Sequence, residues 1–392
     1  MIGTFKLIVD SFCELAPNLE SITDDTFYDF TKHQLIPGAV YVFSRQQFKE
    51  NVSVIKQLAQ EGTIKVILAN PAEGADTMYW QCVGFDIIEL IQQKKILLIS
   101  GGRLPDKIPC FLHEHLLIQV CNYKTNLQAI KQYTCAPLEH RPYKFLFLNG
   151  RMRTHRKYLL ERFRTNGLLD QSLWTNLDPR TCSSFRYVDW YEHEDYSKTQ
   201  HVPDQEFVKN PFPVQSLPPK YESSRYRSRS EVVPPAANDD MYIKRYLFNN
   251  EWGEIYIEAL PYIDTYFSLV TETTFDYMHS FKTEKIAKPL AIGHPWIAAA
   301  NAGFYQDLKN LGFKTFNNLI DESFDSIDTP LDRCARIAKV VEDLCKQDLD
   351  SFIKASRDVC LYNQNHMKEL HHDLNRQFLP KFENYVKENF QL

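Results

Sequence analysis

The chain has 392 residues, 44% of them hydrophobic and 13% aromatic, and a formal charge of −5 at pH 7. That is more than one core usually holds, since single cores split beyond roughly 250–300 residues, and it is too apolar for global disorder. The mild negative charge excludes a general nucleic-acid coat and confines any polyanion contact to a local patch.

The start of the chain carries acids and no long apolar run, so no secretory signal is expected. No stretch approaches the roughly 18 uncharged apolar residues of a membrane span. Nine cysteines form no CxxC pair, and Cys13, Cys82, Cys110 and Cys121 sit in apolar segments. This pattern suits reduced thiols in a cytoplasmic protein better than a disulfide framework.

Residues 5–9 (FKLIV), 39–43 (AVYVF), 64–69 (IKVILA) and 96–100 (ILLIS) read as buried strands, with amphipathic segments at 46–61 and 84–93 between them. Near-continuous apolar strands separated by helices predict a parallel sheet covered on both faces. Ligands bind at the carboxyl ends of such strands, here Asp10-Ser11, Ser44-Arg45, Asn70-Pro71 and Gly101-Gly102. A second start follows at 143–148 (YKFLFL), then Asn149-Gly150 and a helix ending near Asn166-Gly167, with later strands at 268–270 and 296–298.

The expected fold class is therefore α/β, with two Rossmann-like domains facing each other across a cleft and C-terminal helices. The boundaries read as 1–140 for an N-terminal, acceptor-side domain, 141–350 for a nucleotide-binding domain, and 351–392 for the closing helices. Residues 178–240 interrupt the second domain as a Pro- and Ser-rich insertion, in which Arg225, Arg227 and Arg229 alternate with Tyr226 and serines. Such a run is either a solvated loop or a grip on a phosphate backbone. Helices are predicted over 330–346, 349–360 and 367–390, the last kinked at Pro380.

Two constellations carry chemistry. Between Arg151 and Arg164 there are six Arg or Lys residues against one acid, directly after a strand and a Gly-containing turn. Cations at a helix N-terminus are locally unfavourable unless an anion offsets them, and a diphosphate held by Arg151, Arg153 and Arg156 fits. The second is Glu272 at a strand end, followed eleven residues later by Thr283-Glu284-Lys285. Thr283 suits an N-cap, Lys285 reaches a phosphate from the first turn, and Glu284 accepts from ribose hydroxyls.

The passage LVTETTF…SFKTEKIAKPLAIGHPWIAAANAGF resembles the donor-binding signature of the α1,3-fucosyltransferase family and related GT-B-fold enzymes. The shared order is an acid at a strand end, Thr-Glu-Lys opening a helix, a small-residue turn and a Pro-led apolar strand. The resemblance covers residues 143–168 and 266–320 and implies a GT-B-like fold with a nucleotide-diphosphate sugar as donor. It further implies that Arg153 or Arg156 and Lys285 contact phosphate and that Glu284 contacts ribose. The family's Phe-Glu-Asn is replaced here by Thr271-Glu272-Thr273.

Inverting transfer needs a base for the acceptor hydroxyl and positive charge at the leaving diphosphate. No Asp-x-Asp motif lies on a suitable strand end, so Arg153, Arg156 and Lys285 are expected to replace a metal. Asp10 is the first candidate base and Glu73 the second. His113-Glu114-His115 offers only two histidines, a weak zinc signal, with Glu114 as a reserve base. No phosphate loop and no GxSxG motif are present. The expected acceptor is a glycan or other carbohydrate. A hydroxymethylated base in DNA, gripped by the Arg-Tyr loop, is the alternative, and a non-catalytic nucleotide-sugar-binding protein the third.

Overall fold

A computed structural model describes residues 5–71, 84, 86–104, 108–137, 140–149, 153–175, 186–187, 200–201, 257–275 and 280–392. Its first sheet contains β1 (Leu7–Asp10), β2 (Asp25–Phe27), β3 (Val40–Ser44), β4 (Lys65–Asn70), β5 (Ile96–Ser100) and β6 (Phe111–Leu112). All are parallel, in the order β2-β1-β3-β4-β5-β6. The runs LIVD, VYVFS and ILLIS are buried at every position, because both faces of the sheet are covered.

Helices α1 (Ala16–Leu19), α2 (Arg45–Glu50), α3 (Val52–Glu61) and α4 (Asp86–Gln92) link these strands. The amphipathic run 46–61 forms two helices and not one. The break falls at Asn51, whose φ of −121° and ψ of 20° leave the helical region.

After β6 come α5 (His115–Gln119) and α6 (Lys124–Thr134), then β7 (Tyr143–Phe147), α7 (Thr154–Thr165) and β8 (Leu173–Trp174). An antiparallel pair, β9 (Arg186–Tyr187) and β10 (Gln200–His201), lies apart from both large sheets. The remaining elements are α8 (Ala259–Ile263), β11 (Thr265–Thr271), α9 (Glu284–Ile292), β12 (Trp296–Ala299), α10 (Phe304–Asn310), α11 (Pro330–Leu344) and α12 (Leu349–Phe390). The second sheet runs β12-β11-β7-β8, again all parallel.

Both sheets are wound alike. In each, the first strand lies between the second and the third. The order reverses between β1 and β3 in one sheet and between β7 and β11 in the other, which opens a crevice at each carboxyl edge.

Packing moves one expected boundary. Leu117, Val120, Ala129 and Ile130 belong to the core of the second sheet, so α5 and α6 fold with it. The change of core follows β6, ahead of the expected residue 140. The C-terminal helices also differ from expectation, because residues 349–390 form one helix of 42 residues. Polar residues at its middle are satisfied by tertiary partners: Asn363 exchanges hydrogen bonds with the Lys314 backbone, and Gln364 donates to the carbonyls of Ala291 and Ile292. The N-terminal half of α12 enters the second core through Phe352, Ile353 and Met367. Its C-terminal half covers Leu7, Val9, Val40 and Ile99 of the first sheet with Phe378, Phe382, Val386 and Phe390. One helix thereby spans both bodies. Among the described residues, no helix is long and apolar enough to cross a membrane.

Candidate functional site

The crevice of the second sheet is built from three strand ends. Asn149 follows β7, with its backbone N–H and carbonyl both bonded to the Thr175 hydroxyl. Its side-chain oxygen accepts from Thr271 at the end of β11, 3.0 Å away. Arg153 is the N-cap residue of α7, in extended conformation, so the first turn of that helix opens beside Asn149. Across the crevice, β11 ends in Glu272 and β12 leads to Asn301.

Glu272 is fully buried and organises the opposite wall. One carboxylate oxygen accepts from the backbone N–H groups of Thr283 and Ile286, at 3.2 and 3.3 Å. The other accepts from the Thr283 hydroxyl at 2.6 Å and the Thr273 N–H at 3.3 Å. An acid at the end of the preceding strand, eleven residues before Thr283, thus caps α9, where free N–H groups and the helix dipole favour negative charge. Burial raises the carboxyl above its ordinary range, although Lys285 and the Thr283 hydroxyl oppose that shift.

Arg156 is 3% exposed, and its Nη2 donates to the carbonyls of Thr271 and Glu272, at 2.8 and 3.3 Å. His155 reaches the same Glu272 carbonyl at 3.1 Å and stacks flat on Phe275. Burial first, then Arg156 and Arg153, hold this imidazole well below its ordinary pKa, so it is neutral. Both residues therefore fasten the end of β11 to α7.

Lys285 lies at the rim. Its ammonium is 2.5 Å from Glu284 Oε1 and 3.3 Å from the Thr283 hydroxyl, with the side chain 28% exposed. Burial pushes the Glu284 carboxyl up, but Lys285 and then Lys288 outweigh it and leave the group below its ordinary value.

Five buried polar atoms around this crevice have no hydrogen-bond partner among the described residues: Asn149 Nδ2, Arg153 Nε, Thr154 Oγ1, Thr274 Oγ1 and Asn301 Oδ1. Each belongs to a segment that follows β7, β11 or β12. Unpartnered buried atoms also occur elsewhere among the described residues, at Asn70, His113, Gln119, Trp296 and Glu322 for example, but these five fall together at one carboxyl edge, where parallel sheets bind ligands.

The first sheet meets this wall directly. Gly102 forms an antiparallel bridge with Phe281, and the Arg103 N–H donates to the Ser280 carbonyl at 2.8 Å. A side chain at Gly102 would place its Cβ 2.7 Å from that carbonyl oxygen, so only glycine admits the approach. Lys282, 1% exposed, lies 3.1 Å from Glu114, and Arg103 lies 3.1 Å from Asp307. The segment leading into Thr283-Glu284-Lys285 is thus held by the carboxyl end of β5.

Asp10 is fully buried. It accepts from the Ser44 N–H at 3.0 Å, from the Ser44 hydroxyl, and from the Phe12 N–H at 3.0 Å. These bonds close the first sheet's own switch point. The expectation of Asp10 as a base therefore gives way to a positioning role. Glu114 is likewise engaged with Lys282. Glu73, Arg151, Arg225, Arg227 and Arg229 lie outside the described residues.

Arg333, Lys282, Asn149 and Asn301 escape a reading by motif. Arg333, 2% exposed, donates to the carbonyls of Ala300, Ile327, Asp328 and Phe275, fixing the loops after β11 and β12. It sits in a sequence that reads as an ordinary amphipathic helix. Asn149 carried one signal, its place between a strand and a glycine.

Fold and site together define a two-sheet, doubly wound α/β protein with a polar, cation-rimmed crevice at one carboxyl edge. Protein-family models, curated proteins and solved structures give no match to the chain.

Proposed function

We propose that the chain is a glycosyltransferase of GT-B-like architecture that holds a nucleotide-diphosphate sugar at the carboxyl edge of its second sheet. The observation that carries this reading is the cluster of unpartnered polar atoms at Asn149, Arg153, Thr154, Thr274 and Asn301, beside the rim ammonium of Lys285. Arg153 opens the helix after β7 and Lys285 lies in the first turn of the helix after β11, so two adjacent strand ends each bring a cation to the edge where a diphosphate would be held. The N-terminal turn of α7 adds backbone N–H groups on the same side.

Arg156 and Glu272 frame the site from within, one on strand-end carbonyls and the other on the start of α9. In this reading Lys285 exchanges Glu284 for the diphosphate on binding, and Glu284 turns to ribose hydroxyls. The leaving diphosphate is stabilised by these cations, so transfer proceeds in the presence of a chelator. The base is taken to be Glu73, which lies outside the described residues, three positions after Asn70 in the sequence.

Isothermal titration and hydrolysis assays with a panel of UDP-, GDP-, ADP- and CMP-linked sugars test the proposal. Saturable binding of one donor with slow hydrolysis is expected. Failure of every donor to bind or be hydrolysed overturns it.

A further inference from the structure

The two most exposed large hydrophobic side chains among the described residues are Tyr28 and Phe12, at 70% and 59%. They touch each other, with ring centroids 6.0 Å apart and planes at 78°. Phe12 follows β1 and Tyr28 follows β2, on adjacent strands at the carboxyl edge that also carries Gly102.

Neither ring hangs on loose chain. Phe12 stands on a turn in which its own N–H donates to Asp10, Ser11 N–H to Phe27, and Cys13 N–H to the Asp10 carbonyl. Gln47, 6% exposed, clasps the Tyr28 turn by donating to the Tyr28 carbonyl and accepting from the Phe30 N–H. Beside them the Ser11 hydroxyl is buried without a hydrogen-bond partner among the described residues. Two exposed rings on hydrogen-bonded turns, touching edge to face, are partly ordered before binding, which lowers the conformational entropy lost when a ligand packs on them.

We propose that Phe12 and Tyr28 form an aromatic subsite that stacks a sugar ring of an uncharged oligosaccharide acceptor. The word acceptor rests on the transferase reading; the carbohydrate subsite does not. Charge selects the ligand class. Of the six acids in residues 10–29, Asp10 is buried and Asp29 pairs with Lys32, which leaves Glu14, Glu20, Asp24 and Asp25 as an acidic surround with no Lys, Arg or His in that stretch. A phosphodiester backbone would be repelled there, whereas sugar hydroxyls donate to carboxylates and C–H faces pack on rings. Two side chains also expose far less area than the roughly 800 Å² per partner of a stable dimer. The end of β1 lies three strand spacings from β5, about 14 Å along the edge. A ligand bridging the rings and the crevice is therefore longer than one sugar unit.

The test uses the full-length chain, labelled, on an array of neutral, sialylated and sulfated oligosaccharides and short oligonucleotides, without any sugar nucleotide. Wild type is expected to retain neutral oligosaccharides. Phe12→Ala and Tyr28→Ala should each weaken that retention about tenfold, while Tyr28→Phe, which keeps the ring, binds as wild type. Melting temperature and sugar-nucleotide affinity should be unchanged in all three. Absence of neutral glycan binding by wild type, undiminished binding by both alanine variants, or preference for the oligonucleotides overturns the subsite. Ring-dependent glycan binding in a protein that binds no sugar nucleotide would instead sink the transferase reading and leave the subsite standing.

Discussion

The carboxylate of Glu114 and the ammonium of Lys282 lie 3.1 Å apart, 3% and 1% exposed, and join the chain after β6 to the segment that opens α9. Breaking a buried pair from one side leaves a charge without compensation, at about 3–5 kcal/mol. Lys282→Met is therefore expected to destabilise the protein by that amount at neutral pH, read from chemical denaturation. Burial already raises the Glu114 carboxyl, and loss of Lys282 raises it further. A carboxyl whose folded pKa is raised favours folding when protonated, below the unfolded value, and loses that contribution as pH rises through the folded pKa. The penalty of Lys282→Met should thus shrink as pH falls towards 5, and Glu114→Leu with Lys282→Met should recover most of it. An equal loss at both pH values would contradict the pairing.

Much of the fold is legible because its strands are long apolar runs. LIVD, VYVFS and ILLIS admit no other burial, and the strand ends follow from them. β2, β6 and β8 are too short for periodicity, and two of the three residues of β2 are exposed. The expected break between residues 360 and 367 does not occur, because Asn363 and Gln364 find partners on distant segments that no local pattern encodes. The same holds at the site. The cations after β7 and the Thr-Glu-Lys helix start are visible as residues, but the burial of Arg156 against strand-end carbonyls is a tertiary fact. So is the long-range cap that Glu272 places on α9.

His294 fixes a pH dependence. The imidazole is buried, 2.8 Å from the Thr265 carbonyl and 3.0 Å from the Ser268 hydroxyl. Burial first, and then Arg141, lower its pKa from 6.5 to about 3. His113 is lowered to about 3 by burial and His115. A histidine with a depressed folded pKa contributes stability above its unfolded pKa and loses it as pH falls towards the folded one. Stability should hold above pH 7 and fall below about 6, each neutral histidine adding up to about 1.4 kcal/mol per pH unit. His294→Gln should lower stability at pH 7 yet flatten the slope between pH 6 and 4. A parallel pH profile in the variant would rule this histidine out.

Arg333 binds four carbonyls on three loops, a task for a planar fork with five donors. Arg333→Lys keeps the charge but cannot reach the same set. Its expected cost is about 2–4 kcal/mol, from carbonyls left unsatisfied in a buried site. Because Ala300 and Phe275 flank Asn301 and Thr274, donor binding should weaken as well, in calorimetry carried out well below the variant's melting temperature. Full stability in the lysine variant would show that charge alone suffices.

Arg153 and Lys285 should separate binding from folding. Arg153 caps α7 through its backbone, and its Nε has no partner among the described residues, so truncation removes little from the fold. Lys285 is partly exposed; among the described residues its ammonium bonds to its neighbours Glu284 and Thr283, and its charge also acts on Glu272. Arg153→Ala and Lys285→Ala are each expected to lower sugar-nucleotide affinity about 10–100-fold, the loss of one charge-assisted contact to a diphosphate. Melting temperature should move by no more than about 2 °C in Arg153→Ala. Lys285→Ala also takes a cation from the buried Glu284 carboxylate and loses stability, so its affinity is read well below its melting temperature. Both variants should respond less to added salt than wild type, since each removes one phosphate-facing cation. Loss of affinity with a matching loss of stability in Arg153→Ala would make that residue structural, and unchanged affinity in both variants would remove the diphosphate from this crevice.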